Sequence, residues 1–456
     1  MAKKKTAYVC NDCGTDHSKW QGQCTGCGAW NTLQEFVVAS TKAQAREAAV
    51  GGYAGSAGSQ GVQRLAEVDL NEVPRFSSGM LEFDRVLGGG LVPGSAILIG
   101  GHPGAGKSTL LLQTMCHLAT QMPALYVTGE ESLQQVARRA QRLGLPTDQL
   151  NMLSETNVER LVQTLQQHKP KIVVIDSIQV MHVDGVESAP GSVSQVRESA
   201  AYLTRFAKQT DTVLFLVGHV TKDGTIAGPK VLEHMIDCSI MLEGSGDSRF
   251  RTLRGIKNRF GAINELGVFA MLDQGLKEVK NPSSIFLSRS EEPTAGSAVM
   301  VIWEGTRPLL VEIQALVDDS HFGHPKRVAV GTDQNRLNLL LAAMHRHGGI
   351  HLGDQDVYIN VVGGVKVTET GADLALLLAA LSSFRNQPLP QDLIVFGEVG
   401  LSGEIRPVPS GQERIKEAAK HGFKRAIVPK GNMPRQPIPG MEVIAVEKLQ
   451  QALERI

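Results

Sequence analysis

Residues 101–108 read Gly101-His102-Pro103-Gly104-Ala105-Gly106-Lys107-Ser108, the pattern G-x-x-x-x-G-K-[ST]. The short apolar run SAILIGG (95–101) leads into it, and TLLLQTMCHLA, apolar at helical spacing, follows. A strand that turns through glycines into a helix constrains this chain more than any other stretch. The glycines let backbone N–H groups surround phosphate oxygens, and the helix N-terminus adds its positive end. Lys107 is then placed to reach the β- and γ-phosphates, Ser108 to offer a hydroxyl to Mg²⁺, and Thr109 to complete the loop. An α/β fold with bound ATP is the expectation.

Phosphoryl transfer also needs a carboxylate for the metal and a group that orients water. Asp176 ends the apolar run KIVVID (171–176), as the metal-positioning acid of such NTPases does. Glu130 and Glu131 follow ALYVTG (124–129), at the strand end where a parallel sheet collects functional residues. One of them should activate the attacking water, and Glu130 is the first choice. The competing reading makes the pair only the acidic start of the next helix. With TVLFLVGH (212–219), these short Val/Ile/Leu-rich runs separated by helical patterns imply a parallel sheet covered on both faces.

Four of the six cysteines fall in the first 27 residues, as Cys10-x2-Cys13 and Cys24-x2-Cys27, each pair followed by glycine. Two-residue spacing turns both sulfurs of a pair toward one metal, and four thiolates make a closed tetrahedral site. That pattern predicts a structural Zn²⁺, with a rubredoxin-like iron site as the alternative. So small a module should need its metal to fold. His17, between the pairs, is read as polar surface. Cys116 and Cys238 stand in apolar contexts and are read as buried thiols.

Lys+Arg and Asp+Glu are 46 each, so the 456-residue chain carries no net charge. Indiscriminate electrostatic binding to nucleic acid or membranes is thereby disfavoured, and any such contact must come from local patches. No apolar run approaches the ~20 residues that span a bilayer. MAKKKTAYVC has no apolar stretch behind its lysines to make a secretory signal, so a cytoplasmic location is expected. Composition divides the chain into a metal module (1–35), a Gly/Ala/Ser/Gln-rich linker (36–64), an α/β nucleotide-binding domain (65–281) and a second α/β domain (282–456). From 249 to 259 lie Arg249, Arg251, Arg254, Lys257 and Arg259 with no acid among them, candidates for DNA or phosphate contact. Lys222 in VTKDG is a weaker candidate.

Taken together, the four-cysteine module, GHPGAGKST, YVTGEES, IDSIQ, GHVTKDGTIAGPKVLEHMID and KNRFG (257–261) resemble the bacterial RadA (Sms) family of DNA-repair ATPases, over essentially the whole chain. The resemblance implies a RecA-like core with a parallel sheet, an N-terminal four-cysteine zinc finger and a C-terminal Lon-protease-like α/β domain. It implies that His219 is the polar sensor of the γ-phosphate and that Val220–Val231 and Val183–Ser194 are DNA-binding loops. Lys257, Asn258, Arg259, Phe260 and Gly261 become the motif that enters a neighbour's ATP site in a hexameric ring. The implied activity is a DNA-dependent ATPase and helicase in recombination. Its implied partners are single-stranded and branched DNA and RecA.

In the Lon-like region the family's nucleophilic serine aligns with Ala372 and its lysine with Gln412, neither of which can attack or act as base. Lys326, Arg327, Arg336, Arg346 and Lys366 could contribute to a duplex-binding face. Two other functions compete. A regulatory or remodelling ATPase of the KaiC type shares the core but lacks the finger and KNRFG, and an ATP-dependent protease is opposed by Ala372 and Gln412.

Overall fold

The computed structural model describes residues 5–17, 19–38, 74–219, 232–244, 249–287, 292–320 and 324–456. The expected linker (36–64) falls almost wholly outside them, as do Lys222 and the Val220–Val231 segment. The chain divides into two compact units, Met1–Val279 and Lys280–Ile456.

The first unit opens with a three-stranded antiparallel ribbon, in which β1 (Lys5–Cys10) lies between β2 (Asp16–His17) and β3 (Leu33–Val38). Cys10 and Gly14 close one knuckle and Cys24 and Gly28 the other, each through a glycine N–H bonded back to the first cysteine's carbonyl.

The larger α/β domain follows in chain order: α1 (Leu81–Leu87), β4 (Ala96–Gly101), α2 (Lys107–Ala119), β5 (Ala124–Thr128), α3 (Leu133–Arg142) and β6 (Asn151–Ser154). After these come α4 (Val158–His168), β7 (Ile172–Asp176), α5 (Val193–Thr210), β8 (Val213–Val217), β9 (Cys238–Glu243), β10 (Phe250–Asn258), β11 (Leu266–Leu272) and β12 (Gly275–Glu278). Local chemistry starts the helices. Ser132 and Gln135 form a reciprocal capping box on α3, and Asn157 and Ser192 accept N–H bonds at the starts of α4 and α5.

One nine-stranded sheet results, ordered β12-β11-β10-β9-β4-β8-β7-β5-β6. β9 to β6 run parallel, and β5, β7 and β8 are buried from end to end. The wholly parallel sheet expected from the sequence is thus only part of the sheet, because β10, β11 and β12 extend it antiparallel. One core lies under α1, α2 and α3 and the other under α4 and α5, so both faces are covered.

The second unit holds a seven-stranded mixed sheet. Its elements are β13 (Ser297–Glu304), β14 (Arg307–Asp319), β15 (Arg327–Val330), α6 (Gln334–Gly348), β16 (Gln355–Val361), α7 (Asp373–Arg385), β17 (Leu393–Val395), β18 (Glu398–Val399), β19 (Ile405–Arg406), α8 (Gly411–Lys420), β20 (Arg425–Pro429), β21 (Glu442–Val446) and α9 (Leu449–Leu453). The sheet order is β15-β16-β14-β13-β17-β20-β21, and β18 and β19 pair apart from it. Two of the helices fall where the sequence pattern put them, at 371–383 and 411–421, while α6 and α9 add to that reading. From Leu374 to Leu381 every side chain of α7 is buried, so no amphipathic stripe marks it.

Candidate active site

The C-terminal ends of β4, β5, β7 and β8 bring the expected NTPase residues together. At β4 the loop folds so that Lys107 Nζ donates to the carbonyls of Gly101 (2.7 Å) and His102 (3.1 Å). Gly104 has φ +80°, and a Cβ there would meet nothing within 4 Å, so its backbone faces an open concavity. Backbone N–H groups around a concavity beside a helix N-terminus fit a phosphate. Burial holds the Lys107 ammonium below its ordinary pKa, while Asp176 and Glu130 draw it back up.

Asp176, at the end of β7, is buried, and burial raises its carboxyl against hydrogen bonds from Tyr126 and Ser108. A serine hydroxyl beside a buried carboxylate is a hard-oxygen pair of the kind that Mg²⁺ takes. The Tyr126 hydroxyl donates to Asp176 Oδ2 at 2.5 Å.

Glu130 and Glu131, adjacent in sequence, have opposite commitments. Glu130 lies on the Lys107 side. His219 Nε2 stands 3.1 and 3.2 Å from its two oxygens, and the Ser177 hydroxyl donates to Oε1. The His219 bond, ahead of Ser177 and Lys107, holds its carboxyl below the usual range in spite of burial. Glu131 instead pairs with Arg139 of α3 at 2.5 Å, and its backbone N–H and C=O both bond the Thr128 hydroxyl. Neither acid lies in the first turn of α3, which begins at Leu133 behind the Ser132 cap, so the helix-start reading fits neither residue.

KNRFG sits at the other end of the sheet. Leu242 of β9 is level with Gly101, whereas Cys238, level with Ile97, pairs with Asn258. Four strand residues, about 13 Å, separate these levels, so Lys257 and Arg259 lie away from their own chain's phosphate loop. Lys257 Nζ donates to the carbonyls of Glu233 and Ile236 (2.9 Å to the latter). Arg259 pairs with Asp237 at 2.9 Å. Asp237, the last residue of the quoted GHVTKDGTIAGPKVLEHMID and given no role there, is a buried hub that also accepts from Lys208 at 2.8 Å and from the Ala96 N–H at 3.0 Å. Asn258 Oδ1 accepts the Phe260 N–H at 2.8 Å, tightening the turn. A Cβ on Gly261 would come 2.7 Å from Gly88 Cα, so the backbones there can approach only as two glycines.

The basic run does not act as one surface. Arg251 is 4% exposed, and its Nε donates to the Ala105 carbonyl of the phosphate loop at 3.1 Å. This corrects its reading as a DNA contact: strand alternation turns 251 inward with Leu253 and Gly255. Arg254 is half-buried and faces Glu243 on the neighbouring strand at 3.9 Å, so a run free of acids in sequence is not free of them in space. Arg249 is exposed. Val183–Ser194 is partly pinned, because Gln195 on α5 bonds the backbones of Val183, Val186 and Ser188.

In the ribbon, the Sγ atoms of Cys10, Cys13, Cys24 and Cys27 all lie within 4.8 Å of one another. The Cys10–Cys27 and Cys13–Cys24 separations are 3.6 and 3.5 Å. Sulfurs at tetrahedral corners 2.3 Å from one ion would be about 3.8 Å apart, so the set fits zinc. His17, read as plain surface, instead stands with Nε2 3.5 Å from Cys24 Sγ while Gln21 bonds its other nitrogen at 2.8 Å. That is the placing of a residue that supports a metal ligand.

In the second unit Ala372 is a buried methyl just before α7, and Gln412 lies in the first turn of α8. Arg414 of α8, 1% exposed, pairs with Glu369 at 2.7 Å and donates to the carbonyls of Val301 and Pro409. Arg336 pairs with Asp373, and Arg327 donates to the carbonyls of Lys326, Gln355 and Leu352. Neither is the free surface cation the sequence suggested.

Family models match at residues 8–35 (rubredoxin metal binding domain), 75–225 (AAA domain) and 327–432 (subunit ChlI of Mg-chelatase). Curated proteins named DNA repair protein RadA are similar over nearly their whole length. The Escherichia coli protein is 68% identical over 99% of both chains. That of Pseudomonas aeruginosa is 61% identical over 100% of both, and that of Bacillus subtilis 47% over 99% of both. Among the described residues no helix is long and apolar enough to cross a membrane.

Proposed function

The chain belongs to the DNA repair protein RadA family, and on that premise we propose that it is a DNA-dependent ATPase and DNA motor. In this reading it works in the cytoplasm on single-stranded and branched DNA, extending D-loops and driving branch migration beside RecA. The observation that carries the motor chemistry is the convergence of Lys107, Asp176, Glu130 and His219 at one set of strand ends.

Glu130, its carboxyl held low by His219, is ionised at neutral pH and can take a proton from water. As the water oxygen bonds the γ-phosphorus, the bond to the bridging oxygen breaks and ADP leaves with that electron pair. Ser108 and Asp176 would hold Mg²⁺, whose charge offsets what builds on the phosphate oxygens. Lys107 supplies positive charge on the loop side. His219, bonded to Glu130 and assigned to the γ-phosphate, links the presence of that phosphate to the base.

Lys257 and Arg259 serve a neighbour's site in a hexameric ring. Their place at the far end of the strands from their own loop supports that role. Arg249, Lys222 and the half-buried Arg254 are the candidates for DNA contact in this domain, and Lys326, Arg346 and Lys366 those for a duplex in the second unit. The second unit is a non-proteolytic scaffold, since an alanine and a glutamine occupy the dyad positions.

The test measures ATP turnover with single-stranded DNA, with casein and with neither, and strand displacement on forked substrates with and without RecA. DNA-stimulated turnover with displacement is expected. Stimulation by casein and indifference to DNA would replace the motor with a protein-remodelling ATPase.

A further inference from the structure

Tyr126 is completely buried on β5, in the core beneath α2. Phenylalanine would fill the same space, so packing does not account for the hydroxyl. Buried phenols need partners, and here the partner is Asp176 Oδ2 at 2.5 Å. The register makes this contact. β5 and β7 are parallel with Thr128 level with Asp176 and Tyr126 level with Val174. Tyr126 therefore starts two residues below the carboxylate on the same face of the sheet, the face covered by the helix that carries Ser108.

We infer that Tyr126 is a positioning residue for the metal-binding carboxylate: it engages Oδ2 and so presents Oδ1 toward Ser108 and Mg²⁺. The inference rests on the reading of Asp176 as that carboxylate. Tyr126 touches neither nucleotide nor metal, and without its hydroxyl Asp176 Oδ2 loses a buried donor and the carboxylate can rotate.

The experiment uses the full chain and a fluorescent ADP analogue, with affinity measured in EDTA and across a Mg²⁺ titration. Tyr126→Phe should match the wild type in EDTA. It should need about tenfold more Mg²⁺ for half of the metal-dependent gain in affinity, the lower end of what a hydrogen bond to a charged group is worth. Asp176→Asn should abolish that gain, and adding Tyr126→Phe to it should change nothing further. Val174→Ala, in the same core, is the packing control: it should lower the melting temperature and leave the Mg²⁺ midpoint in place. An unmoved midpoint in Tyr126→Phe overturns the inference, as does equal weakening with and without Mg²⁺ or an equal shift in Val174→Ala. A full Mg²⁺ gain in Asp176→Asn would instead overturn the reading of Asp176 on which the inference depends.

Discussion

Arg251→Met should weaken nucleotide binding and leave the salt dependence of DNA binding unchanged. Methionine keeps much of the length and apolar volume of the arginine stem but removes every donor. The native Nε bonds the Ala105 carbonyl at 3.1 Å and Nη1 the Phe250 carbonyl at 2.9 Å, in a residue almost without solvent contact. A bond from a charged donor contributes about 1.5–3 kcal/mol. If the lower figure appears as loop order that the nucleotide must restore on binding, the Kd for ADP rises about tenfold. Calorimetry with ADP reads this directly. Single-stranded DNA binding, measured without nucleotide at several salt concentrations, reads the alternative. An arginine that neutralises one phosphate contributes about 0.7 to the log–log salt slope. An unchanged ADP affinity with a slope reduced by that amount would refute the argument and return Arg251 to the DNA surface.

Glu130→Gln should keep ATP binding and lower single-turnover hydrolysis by about 10²–10⁴-fold. Glu131→Gln, which disturbs only the Arg139 pair, should cost far less, and equal losses would remove the distinction between them. Chelation of zinc should unfold the ribbon, whose described core holds only Cys10, Cys24 and Leu33. Metal release and proteolysis followed together check this, and a ribbon still protected after release would contradict it. Burial holds the Asp373 carboxyl above its ordinary pKa, with Arg336 drawing it down. A raised acid favours the folded state when protonated, so the cost of ionising it is absent in acid and grows as pH rises through that raised value. Arg336→Met should therefore cost about 3 kcal/mol near neutrality and progressively less on acidification. Melting temperatures across that range test it, and a gap to wild type that does not change with pH counts against it.

Legibility in the sequence followed the range of the interactions. The phosphate loop, the two cysteine pairs and the buried parallel strands are local patterns, visible in a few consecutive residues. What escaped depends on which residue lies across a sheet. Arg251 read as one more positive charge until alternation turned it inward beside Leu253. Tyr126 and Ser177 stood inside quoted motifs with no role, because their partners, Asp176 and Glu130, are 50 and 47 residues distant in the chain. Asp237 joins β4, α5 and the KNRFG turn, three segments with no sequence pattern in common. The neighbours Glu130 and Glu131 parted only when His219 and Arg139 were seen to approach from different elements.

The sheet that carries the phosphate loop at one end and KNRFG at the other has a head and a tail. On the proposed reading, in which the motif serves a neighbour's site, a repeating head-to-tail contact joins these unlike ends, and such contacts either close into a ring or continue as a helix. In any such assembly one defective subunit would impair two ATP sites: its own, through the loop, and its neighbour's, through the motif. Rings mixed from wild-type and inactive chains would then lose activity faster than the inactive fraction rises.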